Sequence, residues 1–297
     1  MPSSVKDFAL YGSLRSFVAV GGSLPLTISR PMGRVLSEAA FSMLPRSRRR
    51  IESHLEIAFP DLEKSQRDSI MRGCVRHFGL MLAEVARMWH AGSDDVISLC
   101  ELTGEEYVFA ALEDGGGAMI ATAHCGNWEL LSARLPIAGI PLLSAVRQLD
   151  DPRLDRLVTA MRSRFGTRII PRGPAAGRQL VRALSANQVP GLLIDQDIRD
   201  IPGVFVPFFD QPAWTPSGLA MLAIRRECPV LPSFIHRRPG GTHRAEIHPP
   251  LPMPESGSLE DRVEELTATA TAAIELQVRA HPEQWVWMHR RWRTRPG

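Results

Sequence analysis

The segment Gly116-Gly117-Ala118-Met119-Ile120-Ala121-Thr122-Ala123-His124-Cys125-Gly126-Asn127-Trp128-Glu129-Leu130-Leu131 changes character twice within a short span. Residues 118–124, an apolar run leading into His124, read as a buried strand. Cys125-Gly126 reads as a turn, and Trp128 onward as an apolar helix with Asn127 at its N-cap. An imidazole, His124, therefore stands at the carboxyl end of a strand, where open α/β sheets bind their ligands. His124 and Glu129 are five positions apart, so one continuous helix would not put them on the same face. The intervening turn lets the two face each other, and Glu129 falls in the first helical turn, where the macrodipole favours a carboxylate. A histidine paired with a carboxylate is equipped to take a proton from an oxygen nucleophile near neutral pH. The same position also suits a hydrogen-bonded structural histidine, so the rest of the chain has to decide.

Outward from this segment, strands and helices alternate. Strands are expected at residues 141–147, 167–170, 191–195, 230–236 and 243–248, and helices at 128–138, 152–165, 175–186, 216–226 and 259–280. Upstream, residues 46–59 read as a basic amphipathic helix that stops before Pro60. A longer helix follows, with Met71, Cys74, Val75, Phe78, Leu82, Val85 and Trp89 keeping the helical period. Alternation at this spacing predicts an α/β sandwich with a mostly parallel central sheet flanked by helices. His124, Arg147, Asp195 and Gln196 fall at predicted strand ends, with Arg237 and Arg238 after a later strand. If those strands are parallel neighbours, the residues converge on one edge of the sheet. Arg147 suits a phosphate or carboxylate, which its planar fork bonds bidentately, and equally suits a strand end at the surface. The apolar run 203–210 fits either core or a groove open to a hydrocarbon chain. Thr215 as N-cap with Pro216 at the first helical position would leave backbone N–H groups for an anion.

With 297 residues, 44% of them hydrophobic, the chain can bury the core of one large domain, with or without an appended subdomain. Net charge is only +3, but Arg46, Arg48, Arg49 and Arg50 form one cluster, and Arg290, Arg291, Arg293 and Arg295 another. Such clusters suit an anionic surface, whether lipid headgroup, phosphate or nucleic acid, or simply a solvated face. Four scattered cysteines without a CxxC fit reduced thiols and give neither a zinc site nor a disulfide framework. Cys125 adjoins His124, but neighbours leaving a strand end point apart, which disfavours it as a nucleophile. Residues 8–28 are mildly apolar yet carry Arg15 and Pro25, which suits an interfacial segment or an ordinary packed helix better than a spanning one. GxSxG, GxxxxGK[ST], GxGxxG after a strand, and HExxH are all absent, which argues against serine-elbow hydrolase, P-loop, dinucleotide and zincin chemistry.

Three segments, in order, carry a resemblance. His124-Cys125-Gly126-Asn127-Trp128-Glu129 is similar to an HX4(D/E) box. Asp195-Gln196-Asp197, followed by the run Gly203 to Phe209 and Ala213-x-Thr215, is similar to a DQ…GxFVPFF…AxT block. Residues 282–292, PEQWVWMHRRW, are similar to a C-terminal PEQWxWxHRRW signature. Arg147, Arg162 with Gly166, and Ala58-Phe59-Pro60 also match. From about residue 46 onward the chain resembles the lipid A late acyltransferases, the lauroyl- and myristoyl-transferring family that includes mycobacterial phosphatidylinositol mannoside acyltransferases.

The resemblance implies a glycerolphosphate-acyltransferase-like sandwich and an acyl-carrier-protein or coenzyme A thioester as donor, with no cofactor and no metal. It implies a lipid partner and no nucleic acid: a lipid hydroxyl as acceptor, at the cytoplasmic face of the inner membrane. His124 is then the expected base and Glu129 the carboxylate that fixes its tautomer. Arg147 and Arg162 are candidates for acceptor phosphates, Asp195 for supporting the site, and Gln196 and Asn127 for substrate contact. The expected organisation is a membrane-associating segment over residues 1–45 and an acyltransferase domain over 46–297. Family members usually begin with an apolar membrane helix, whereas residues 8–28 are poor in Leu and Ile, so peripheral attachment is expected. Three other readings share these residues: transfer to a phosphatidylinositol mannoside or lysophospholipid, thioester or lipid-ester hydrolysis, and non-catalytic lipid binding.

Overall fold

The apolar run upstream of His124 forms the central strand of the molecule, and the chain is built around it. The structure is a computed structural model that describes residues 12, 15–173 and 175–296. Its strands are β1 (Cys100–Thr103), β2 (Met119–Thr122), β3 (Leu142–Val146), β4 (Arg168–Pro171), β5 (Val189–Leu193), β6 (Gly203–Phe208), β7 (Gln211–Pro216), β8 (Val230–Arg237) and β9 (His243–Ile247). Seven of them form one sheet in the order β1-β9-β8-β2-β5-β3-β4, while β6 and β7 make a separate antiparallel hairpin. Every neighbour pair in the large sheet is parallel except β8 with β9. β2 is covered on both faces, which is why it reads as a continuous apolar run rather than an alternating one.

Helices α1 (Leu26–Ser42), α2 (Pro45–Ala58), α3 (Lys64–Met88), α4 (Ser93–Leu99), α5 (Glu105–Glu113), α6 (Trp128–Ile137), α7 (Pro152–Ser163), α8 (Ala176–Ser185), α9 (Gly218–Arg226) and α10 (Leu259–Ala280) flank the sheet. One layer packs Val96 of α4, Val108 of α5 and Leu130 of α6 against Ile120 and Leu231. The opposite layer packs Leu55 of α2, Cys74 of α3, Ala220 of α9 and Ile274 of α10 against Met119 and Val230. α8 closes this second side by laying Ala176, Leu180 and Ala183 on Leu143 and Ile170. The α/β sandwich with a mostly parallel sheet is the expected architecture.

β1, α4 and α5 have no counterpart in the sequence reading. Cys-Glu-Leu-Thr is too short to show a period, and its partner β9 lies far downstream. Residues 203–216 fold as a hairpin whose Phe208 and Phe209 are buried, so this run serves largely as core. The helix expected from Pro216 begins at Gly218, because Thr215 and Pro216 are still paired in β7. Thr215 is fully buried and its hydroxyl accepts from Arg291, so it caps no anion site.

The expected N-terminal segment lies partly outside the described residues. Within them, Phe17–Gly21 forms a π-helical turn and α1 crosses α3 at Gly33 and Gly79. At that crossing an added Cβ on either glycine would collide with the other's carbonyl oxygen. No helix among the described residues is long and apolar enough to cross a membrane.

Candidate active site

Parallel register builds the site. Thr122 of β2 is level with Leu193 of β5, so the residues two places beyond each strand, His124 and Asp195, emerge side by side. The backbone N–H of Ile194 donates to the Thr122 carbonyl at 3.2 Å and fastens the two ends. Asp195 Oδ1 then lies 2.8 Å from His124 Nδ1, and Oδ2 accepts the His124 backbone N–H at 2.9 Å. Trp285 Nε1 donates to the same Oδ2 at 2.8 Å. Burial alone would raise the Asp195 carboxyl, but the neighbouring imidazole, its hydrogen bond, and the indole and backbone donors outweigh it and hold Asp195 near 2. A carboxylate ionised at neutral pH can only accept, so Nδ1 is the donor in this pair. On the other side of the ring, Nε2 has the Gln196 amide nitrogen 3.4 Å away, and the side chain is partly exposed. The indole of Trp128 meets the imidazole edge-on, with ring centroids 5.0 Å apart.

The imidazole's carboxylate partner is thus Asp195 and not Glu129. Glu129 sits in the first turn of α6, as its sequence position requires, but that turn faces α7. There Arg162 grips it with Nε bonds of 3.1 and 2.9 Å and a further Nη2 contact. The two residues expected to bind separately, one the imidazole and the other a phosphate, are bound to each other.

Asn127 does cap α6, its Oδ1 accepting the Leu130 N–H at 3.1 Å. It is fully buried, and its amide nitrogen donates to Glu84 at 2.9 Å, so it belongs to the frame beneath the site rather than to its open face. Arg147 follows β3 and is largely exposed, 4.0 Å from Asp150. Arg237 and Arg238 leave the site altogether: the first binds Glu84 and the second Glu101.

Two supports reach the His124 turn from distant segments, and their roles were not legible in the sequence. The first is Glu84, fully buried on α3, which collects Arg30, Arg237, His243 and Asn127. Burial would raise its carboxyl, but bonds from His243 and Arg237 drive it well below the usual range. Because Asn127 is among its partners, this knot ties α1, α3 and the β8–β9 pair to the turn that carries His124. His77 adds to it by donating Nε2–H to the Gly126 carbonyl at 3.1 Å. Gly126 has φ of +57°, and a side chain there would strike the Ile235 carbonyl.

The second support is the C-terminal stretch. Trp285 bridges Cys125, and the Gly126 N–H donates to the Gln284 carbonyl at 2.8 Å. Arg291 is completely buried and donates to Thr215 Oγ1 at 2.6 Å and to the Trp214 carbonyl, far from any outer surface. The C-terminal arginine cluster is therefore not one exposed face. His289, which burial lowers to about 4, accepts the Asp197 N–H on Nε2 at 3.0 Å. The Asp197 carboxylate in turn takes the backbone and hydroxyl of Thr294. The Cys125 thiol is buried and pushed well above its ordinary range, which fits its exclusion as a nucleophile. No group of residues that could hold a metal is present among the described residues.

A family model described as bacterial lipid A biosynthesis acyltransferase matches residues 4–294. A lipid A biosynthesis lauroyltransferase of Escherichia coli is 26% identical over 92% of this chain and 88% of its own length. A lipid A biosynthesis acyltransferase of Haemophilus influenzae is 25% identical over 82% and 76%. A phosphatidylinositol mannoside acyltransferase of Mycobacterium tuberculosis is 26% identical over 64% and 58%.

Proposed function

Since the chain belongs to the bacterial lipid A biosynthesis acyltransferase family, we propose that it moves a fatty acyl group from an acyl-carrier-protein or coenzyme A thioester to a hydroxyl of a lipid A precursor. The observation that carries this reading is the His124–Asp195 pair, with Nδ1 committed to a buried carboxylate and Nε2 bordered by the Gln196 amide. His124 Nε2 takes the proton of the acceptor hydroxyl as its oxygen attacks the thioester carbonyl. Asp195 stabilises the imidazolium that forms. As the tetrahedral intermediate collapses, the C–S bond breaks and Nε2–H returns the proton to the leaving thiolate. The products are an ester and a free thiol, and His124 is restored. General-base help of this kind is worth ~10²–10⁴-fold.

Trp285 is a positioning residue that holds Asp195, and Gln196 borders the reacting nitrogen. The Glu129–Arg162 pair holds its arginine at the rim for the acceptor, with Arg147 exposed at the same edge for an acceptor phosphate. A membrane surface as partner is supported by α1 and its C-cap, where Ile28, Met32, Val35, Leu36 and the capping Met43 are all about half exposed or more. Arg34, Arg46 and Arg49 are exposed on and just beyond that helix. Exposed apolar side chains with adjoining arginines suit peripheral attachment to an anionic leaflet, here the cytoplasmic face of the inner membrane, where the thioester donor is available.

The test is lipid A mass spectrometry of a deletion strain complemented with wild-type, His124→Ala or Asp195→Asn protein. The expected result is loss of one acyl mass in the deletion, restored by wild type alone. Rescue by His124→Ala would overturn the catalytic role. Unchanged lipid A with an acyl loss in another glycolipid fraction would replace the acceptor by one like that named for the mycobacterial relative.

A further inference from the structure

Between Asp155 and Asp195 the chain carries seven arginines and no acidic residue. Some are spent within the fold: Arg162 on Glu129, Arg164 on the Ala91 carbonyl at 2.9 Å, and Arg168 on Gln188 at 3.3 Å. Arg172, Arg178 and Arg182 are exposed and form no ion pair among the described residues.

Their placement is ordered. Arg172 follows β4 and donates its backbone N–H to the Val146 carbonyl at 2.7 Å, at the carboxyl edge of the sheet that also holds His124. Arg178 and Arg182 are four apart on α8, so they stand one above the other on its outer face while Ala176, Leu180 and Ala183 face the sheet. At the far end of α8, Arg226 Nη2 donates to Ser185 Oγ at 3.0 Å and extends the row. The row thus runs from the carboxyl edge of the sheet, three strands along from β2, down the length of a ten-residue helix, ~15 Å. Like charges four apart on a helix repel, so the row costs the isolated chain stability.

The surface around it differs from that of α1. Among the described residues, the exposed large hydrophobic side chains include none from β4, α8 or α9. A lipid-inserting face would carry them. A long, purely cationic row beginning at the carboxyl edge of the sheet fits a folded acidic partner met along its length, and is longer than the phosphates at one end of a nucleotide cofactor require.

We propose that the arginine face of α8 is the docking surface for an acidic carrier protein that delivers the acyl thioester to His124. This rests on the acyltransferase reading above. The row would steer the carrier electrostatically and set its register, while the thioester arm reaches from Arg172 toward Nε2.

The experiment compares the full chain with Arg178→Glu/Arg182→Glu on two donors, acyl-carrier protein and the acyl thioester of pantetheine, which lacks the protein. For the carrier donor, KM is expected to rise at least ~10-fold with kcat little changed, and the salt dependence of kcat/KM to flatten. Turnover of acyl-pantetheine and the melting temperature should stay at wild-type values. Should the double reversal melt early, Arg178→Gln/Arg182→Gln is read the same way, with a smaller rise expected. An unchanged KM for the carrier, or an equal loss on both donors, would overturn the docking surface while leaving acyl transfer standing. Lost binding to phosphatidylglycerol vesicles with the carrier KM unchanged would overturn it in favour of a lipid surface. A wild-type chain that turned over neither donor would overturn the acyltransferase reading and the docking surface with it.

Discussion

Asp195 and Glu129 are both buried carboxylates at the carboxyl edge of one sheet, yet their partners differ in kind. Asp195 follows a strand, is 2% exposed, and spends its oxygens on an imidazole, a backbone N–H and an indole. Glu129 opens a helix, is 8% exposed, and spends its oxygens on a guanidinium. An imidazole can shed and regain a proton near neutral pH, whereas a guanidinium cannot. The first pair can move a proton; the second can only orient charge. A carboxylate in the HX4E position is thus assigned its role by what the next helix presents to it.

The sharpest way to break this contrast is Asp195→Asn. The amide keeps the shape but can donate toward Nδ1, which favours the wrong tautomer, so kcat should fall ~10²–10⁴-fold with the fold retained by circular dichroism. Glu129→Gln should cost less, ~10–100-fold in kcat/KM, expressed mainly in the acceptor's KM, because Arg162 loses its orientation rather than the base its proton. If Glu129→Gln matched Asp195→Asn in kcat at unchanged KM, the division of labour between the two would be wrong.

Trp285→Phe removes one donor from Asp195 while leaving an aromatic ring in place. A bond to a charged group is worth ~1.5–3 kcal/mol, so a loss of about 10-fold in kcat is expected. Arg162→Lys should not reproduce it.

The smallest effect is on stability rather than rate. His289 is held below its unfolded value, so between ~6.5 and 4 the unfolded chain binds the extra proton and the folded one does not. Its contribution is complete above pH ~6.5 and is lost as pH falls toward 4. Asp195, held near 2, keeps its contribution down to pH ~3.9 and loses it only below that. Urea midpoints should therefore decline with acid over the histidine range first, and His289→Gln should flatten that decline.

Local periodicity made the alternation of strands and helices legible, since the apolar run of β2 and the 3.6-residue pattern of α3 need no distant partner. His124 was legible as a strand-end imidazole, and Asp195 as a polar residue after another strand. Their pairing was not, because it depends on β2 and β5 being neighbours in register, which no local pattern encodes. The partner of Glu129 was not legible for the same reason: five-residue spacing says where a helix begins, not which helix packs against it. Glu84 left no trace at all, being one acid on a long amphipathic helix whose four partners come from distant segments. Trp285 lay inside the third motif, and its role depends on the tail folding back under the Cys125 turn.

That fold-back has a consequence for synthesis. The imidazole comes from residue 124, its carboxylate partner from 195, and the indole that donates to that carboxylate from 285. Contacts so far apart in sequence close slowly. A ribosome delivering the chain from its amino end completes the whole sheet before the tryptophan-rich tail is released. Nascent chains would then be nearly folded yet silent, and premature termination after α10 would leave a well-formed sandwich with an unfinished site.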